Sequence, residues 1–150
     1  MQTFEPMNPD YEAEIRRGFA RQQVMQKIGA QITRIEPGLV EIALSFSAEL
    51  TQQHGYLHAG IVTTIVDSAC GFAAYSLMPG DSGVLTVEYK VNLLSPASGE
   101  KFIATGRVIK PGKTLTVCAG EVVALAAGKR KQIAIMQATM IRMPEPRAEK

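Results

Sequence analysis

The sequence predicts an α+β domain in which a curved antiparallel sheet wraps a long central helix, with a further helix at the N-terminus. Three observations predict it. The segment from Ala59 to about Met78 reads as a helix apolar almost all the way round (Ile61, Val62, Ile65, Val66, Ala69, Cys70), and such a helix must be covered on most sides. Four strand-like runs with turn chemistry between them follow it, and a hairpin precedes it. The length of 150 residues suits one domain with a real core.

The elements follow in order. Asn8-Pro9-Asp10 supplies a helix start, and Ile15, Phe19 and Met25 form a modest apolar stripe on a helix to about Lys27, closed by Gly29. Ala30 to Ile35 and Leu39 to Phe46 flank the turn Glu36-Pro37-Gly38. In the second run, Val40, Ile42, Leu44 and Phe46 alternate with polar or small residues, as in a half-buried strand. Ser47 to Leu57 is a polar loop leading to the central helix, which "MPGDSG" stops. Strands follow over Val84 to Leu94, Lys101 to Lys110, Leu115 to Leu125 and Lys131 to Met143, separated by "SPASGE", "KPGK" and "AAGKRK". The edge strand Val84 to Leu94 is the expected seam between two copies, with Val87, Tyr89, Val91 and Leu93 facing the helix.

Composition narrows the class. Hydrophobic residues make up 46% and charged residues 20%, ordinary for a globular protein. A net charge of +2 gives no argument for nucleic acid. No apolar run is long and uninterrupted enough to span a bilayer, and "MQTFEPMNPD" lacks the pattern of a secretory leader. Two cysteines make no disulfide framework, so a cytoplasmic, reducing compartment is expected.

Asp67 raises the functional question. A carboxylate costs several kcal/mol to desolvate without a partner, so an acid in an apolar helix needs a reason. The residues alone leave two: a structural acid bonded to an amide or hydroxyl, and a working acid.

The helix-plus-meander order, the run "HAGIVTTIVD" from His58 to Asp67 and the later "TVEYKVNLLSPASGE" together resemble the hotdog-fold thioesterases, above all the PaaI-like group of acyl-CoA thioesterases. The resemblance covers about Gly29 to Met143. It implies a hotdog domain over 29–143, a helical segment over 1–28 packed on it, and a flexible tail over 144–150. It also implies hydrolysis of an acyl-CoA thioester to the acid and CoA, with no metal or redox cofactor and coenzyme A only as part of the substrate. The family's His-Gly-Gly falls on His58, Ala59 and Gly60, its helix acid on Asp67, its upstream amide on Gln52, and its later hydroxyl on Thr86. Ala59 replaces the first glycine of the pair. The backbone N–H used there is kept, while the added methyl narrows the channel and bears on substrate size.

The chemistry agrees with those positions. The first turn of a helix offers free N–H groups at the positive dipole end, suited to a developing oxyanion, and Ala59 and Gly60 stand there. Asp67 is the acid that activates water or attacks directly. Eight residues separate Ala59 from Asp67, about 12 Å along a helix, so one carbonyl cannot touch both in one chain. Either the two belong to different subunits or one is not catalytic. The family pattern matches the first option. It implies a homodimer with shared sites, and a dimer of such dimers, each site taking Ala59, Gln52 and His58 from one chain and Asp67 and Thr86 from the other.

Other residues read as structure. His54 is a loop residue; with His58 and one acid it lacks a further ligand, so no metal is expected. Cys70 and Cys118 are core. Glu88 and Glu121 fall on solvated strand faces. Lys129 to Lys131 form a hairpin tip, although with Arg107, Lys110 and Lys113 they are candidate contacts for CoA phosphates. A non-hydrolytic acyl-CoA sensor and a hotdog hydratase or dehydratase are the rival functions; the second needs an acid–base pair that the sequence does not display.

Overall fold

The computed structural model describes residues 3–144. The N-terminal segment forms two helices, α1 (Tyr11–Arg21) and α2 (Gln23–Ile28), where the sequence suggested one. Gln22 breaks the run with an extended backbone (φ −76°, ψ 93°). The break has a packing cause. Ten residues after Ile15, Met25 would point to another side of a continuous helix. Re-aimed by the break, both side chains are fully buried. Phe19 meets Phe72 of the central helix at 6.1 Å between ring centroids. Gly29 closes α2 in the left-handed conformation (φ 76°), with its N–H on the Gln26 and Met25 carbonyls.

The hairpin forms as expected from β1 (Gln31–Glu36) and β2 (Leu39–Ser45). A 3₁₀ turn, Ala48–Leu50, lies within the polar loop. The central helix, α3 (Ala59–Tyr75), stops three residues before Met78. Ser76 ends it by side-chain competition. Its hydroxyl donates to the Ala73 carbonyl and accepts the Gly38 N–H, both at 2.7 Å, which ties the helix end to the β1–β2 turn.

The remaining strands are β3 (Ser82–Leu93), β4 (Lys101–Lys110), β5 (Leu115–Ala126) and β6 (Lys129–Pro144). Pro144, first residue of the expected tail, ends β6; residues 145–150 lie outside the described residues. The six strands run in the order β1-β2-β4-β5-β6-β3, every neighbouring pair antiparallel. Among the described residues, no helix is long and apolar enough to cross a membrane.

Two glycines seat α3 on the sheet. Gly106 of β4 and Gly120 of β5 are cross-strand partners. A Cβ on Gly106 would stand 2.3 Å from the Ala69–Cys70 peptide, and one on Gly120 would stand 2.5 Å from Val66 Cγ2. The helix backbone therefore lies in a notch that no side chain allows. Val66, Ala69 and Cys70 press into it and are fully buried. Asp67 is thereby turned sideways, toward β3.

β3 is the sheet edge opposite β1, as expected. Tyr89, Val91 and Leu93 pair in register with Ala138, Met136 and Ala134, which places them on the helix side. The helix side covers them only in part: Val91 is half-buried against the core, whereas Tyr89 is 48% and Leu93 53% exposed. Val87, expected to share that face, sits where the register shifts between Thr86 and Glu88. Glu88 and Glu121 face outward, as expected. Glu88 accepts from Thr139 Oγ1, and Glu121 pairs with Arg107 at 3.1 Å.

Candidate active site

Asp67 lies on the one stripe of α3 that the sheet leaves open, with Gly60, Thr64, Ser68 and Gly71 along the same side. Thr86 Oγ1 donates to Asp67 Oδ1 at 2.8 Å, with Met140 Sδ at 3.4 Å as a second acceptor. The bond is possible because Thr86 is the last β3 residue before the register shift and pairs with the buried Met140. Among the described residues, no donor reaches Asp67 Oδ2. Partial burial raises the carboxyl above its ordinary value, and the Thr86 hydrogen bond opposes that rise. Asp67 and Thr86 line a narrow cleft of about 80 Å³ with Gln22, Ser68 and Gly71. A wider cleft of about 420 Å³ shares Asp67 and Ser68, and reaches Gly60, Tyr89 and Val91.

The helix start builds a second half-site. His58 is the N-cap of α3, and its Nδ1 accepts the Gly60 N–H at 2.8 Å. That bond puts the proton of a neutral His58 on Nε2, and it occupies Gly60, one of the two donors expected for the oxyanion. The Ala59 N–H has no acceptor among the described residues. A tight loop presents Gln52 beside it. Gln52 N–H bonds the Tyr56 carbonyl at 2.9 Å, Gly55 N–H bonds the Gln52 carbonyl at 3.0 Å, and Gly55 takes φ 82°. His54 donates its backbone N–H to Gln52 Oε1. Since a backbone N–H only donates, the free end of Gln52 is its amide NH₂. Gln52 and Ala59 share a cleft of about 450 Å³ with Tyr56, Leu57, Leu94 and Ala97.

The six sequence-predicted residues thus form two groups: Gln52, His58, Ala59 and Gly60 at the helix start, and Asp67 with Thr86 two turns on. Within one chain Gly60 reaches the wider Asp67 cleft, but among the described residues Gln52, His58 and Ala59 share no cleft with Asp67 or Thr86. Cys70 and Cys118 are buried, and burial pushes both thiols up, Cys118 to about 12, so neither is a nucleophile. Lys129, Arg130 and Lys131 are an exposed hairpin tip. The sequence reading missed Gln22, whose side chain accepts from Ser68 Oγ at 3.1 Å beside Asp67. The available signal was Ser68 itself, a second polar residue next to Asp67 in an apolar helix. It also missed the cleft role of Leu94 to Ala97, read only as a strand end and turn.

The model of the thioesterase superfamily matches residues 54–129. The chain belongs to that superfamily. A thioesterase family protein of Silicibacter pomeroyi, known from its crystal structure, is 50% identical; the match covers 89% of this chain and 98% of that one, with a TM-score of 0.88. Human acyl-coenzyme A thioesterase 13 is 29% identical over 119 residues, 77% of this chain and 84% of the human one. The PaaI protein of E. coli, at 17% identity and a TM-score of 0.82 over 93% of this chain and 97% of that one, shares the fold. The architecture of this thioesterase-superfamily member is accordingly the hotdog: a curved antiparallel sheet around a central helix.

Proposed function

We propose that this protein hydrolyses acyl-CoA thioesters to the free acid and CoA, at sites each built by two subunits. The observation that carries the reading is the state of Asp67: one oxygen is held by Thr86, the other is open to a cleft, and burial raises the carboxyl. A purely structural acid would have both oxygens engaged. The exposed apolar edge of β3 supplies the reason for a second copy, since an unpaired edge pairs with its like. Two copies joined there place the Ala59 end of one α3 beside the Asp67 of the other.

In such a site the thioester oxygen accepts from the Ala59 N–H and the Gln52 amide of one chain. Asp67 of the other chain takes a proton from water through Oδ2, and the water oxygen attacks the carbonyl carbon. The carbonyl electron pair moves onto oxygen, where the two donors and the helix dipole stabilise it. Collapse breaks the C–S bond and releases CoA as thiolate, which takes the proton held by Asp67. His58 holds the helix start in place. Coenzyme A enters only with the substrate, and the two reduced, buried cysteines fit a cytoplasmic setting.

Thiol release from a panel of acyl-CoAs, measured for wild type and Asp67→Ala, tests this. Loss of about 10²–10⁴-fold in Asp67→Ala, with the fold retained, is expected for removal of a general base. Tight binding of acyl-CoA by wild type without release would identify a sensor and overturn the enzyme reading.

A further inference from the structure

The narrow cleft beside Asp67 has a wall that the catalytic scheme does not use. Gln22 comes from the break between α1 and α2, and its carbonyl oxygen is held by the Ser68 hydroxyl at 3.1 Å. Its amide nitrogen has no partner among the described residues. Gly71, one turn beyond Asp67, lines the same cleft. A Cβ added at Gly71 would meet nothing within 4 Å, in contrast to Gly106 and Gly120, where backbone or side chains stand in the way. Packing within the chain therefore does not require this glycine, although glycine weakens a helix interior relative to alanine. What its missing side chain provides is space next to the reacting acid.

Resting on the thioesterase reading, we propose that this cleft is the acyl subsite, and that it selects a short acyl group carrying an oxygen substituent near the thioester. The narrow cleft, about 80 Å³, takes only a short group before the chain must turn into the wider cleft that Gln22, Asp67 and Ser68 also line. The oxygen follows from Gln22. An alkyl chain laid over an unpaired amide NH₂ strips its water and returns no hydrogen bond. A hydroxyl or keto oxygen accepts from it, and a site built this way rejects the analogue that lacks the oxygen. Ser68, by holding the Gln22 carbonyl, keeps the amide in place.

The test is kcat/KM by thiol release for acetyl-, butyryl-, 3-hydroxybutyryl- and octanoyl-CoA, on wild type, Gln22→Leu, Gly71→Ala and Gly71→Leu. Wild type is expected to favour 3-hydroxybutyryl over butyryl by tenfold or more, and both over octanoyl. Gln22→Leu should bring the first ratio toward one. Gly71→Leu should lower the butyryl-to-acetyl ratio about tenfold, with Gly71→Ala between it and wild type. A wild-type preference for butyryl or octanoyl, or an unchanged hydroxybutyryl-to-butyryl ratio in Gln22→Leu, overturns the proposal. Size-exclusion chromatography checks the assembly of the Gly71 variants; if they fail to assemble, the Gln22→Leu ratio decides. Failure of the underlying reading has a different signature: no thiol release by wild type on any substrate, or full release by Asp67→Asn.

Discussion

Subunit complementation tests the shared site most directly. Ala59 and Asp67 lie on one straight helix, α3, eight residues apart. At the helical rise of 1.5 Å per residue that is about 12 Å, roughly four times the reach of a hydrogen bond. A site using both must draw them from two chains. Asp67→Asn removes the base, while Gln52→Ala removes one of the two oxyanion donors, a loss of about 10²–10³-fold in kcat. Each homodimer alone is therefore nearly inactive. In a mixed dimer, Asp67 of the Gln52→Ala chain meets Gln52 of the Asp67→Asn chain, so one of the two sites is intact and the other carries both defects. Co-refolding the variants in equal amounts makes about half the dimers mixed, each with one working site of two. By the symmetry of a two-fold interface, activity should recover to about a quarter of wild type. The assay is thiol release per subunit, with the parent variants refolded separately as controls. A mixture that never exceeds the mean of its parents, although mixed dimers are shown to form, would refute the cross-subunit geometry.

Further outcomes follow from the same structure. Thr86→Val removes the hydrogen bond that holds the Asp67 carboxyl down, so the acidic limb of kcat/KM should move to higher pH, because the base must be ionised to act. A limb that stays or moves to lower pH contradicts the assignment of Asp67 as base. Gly106→Ala should destabilise by about 1–3 kcal/mol or more in urea unfolding, since the Cβ meets helix backbone at 2.3 Å that cannot turn away. Gly120→Ala should cost less, because its obstacle is the Val66 methyl and the Cys70 sulfur. Ala127 holds φ 47° beside Gly128 in the β5–β6 hairpin. Ala127→Asn should stabilise by about 1 kcal/mol, raising Tm by a few degrees, because asparagine tolerates the left-handed region better.

Much of the fold was legible because its signals are local. Strand alternation, the turn at Pro37-Gly38 and the glycine stop at Gly29 depend on neighbours in the chain, and each appears where the sequence puts it. The apolar circumference of α3 and its lone Asp67 were equally plain, as was the edge position of β3. Where the reading departed from the structure, the cause was non-local. The N-terminal helix breaks at Gln22 because Ile15 and Met25 must both reach a core assembled from distant strands. α3 stops at Tyr75 because Ser76 finds the Gly38 amide thirty-eight residues away.

The same division runs through the site. Order along the chain determined which residue types stand at the helix start and in its middle, and the helical rise alone separated them. Tertiary packing decided the rest: that Thr86 grips one oxygen of Asp67 and leaves the other open, that His58 takes the Gly60 amide, and that Gln52 turns its NH₂ outward. Gln22 joined Asp67 only through the folded chain. Periodicity records how each segment meets water, whereas contacts between remote segments depend on register and on the depth of a notch such as Gly106 and Gly120 provide. Neither quantity is written in any short stretch of sequence.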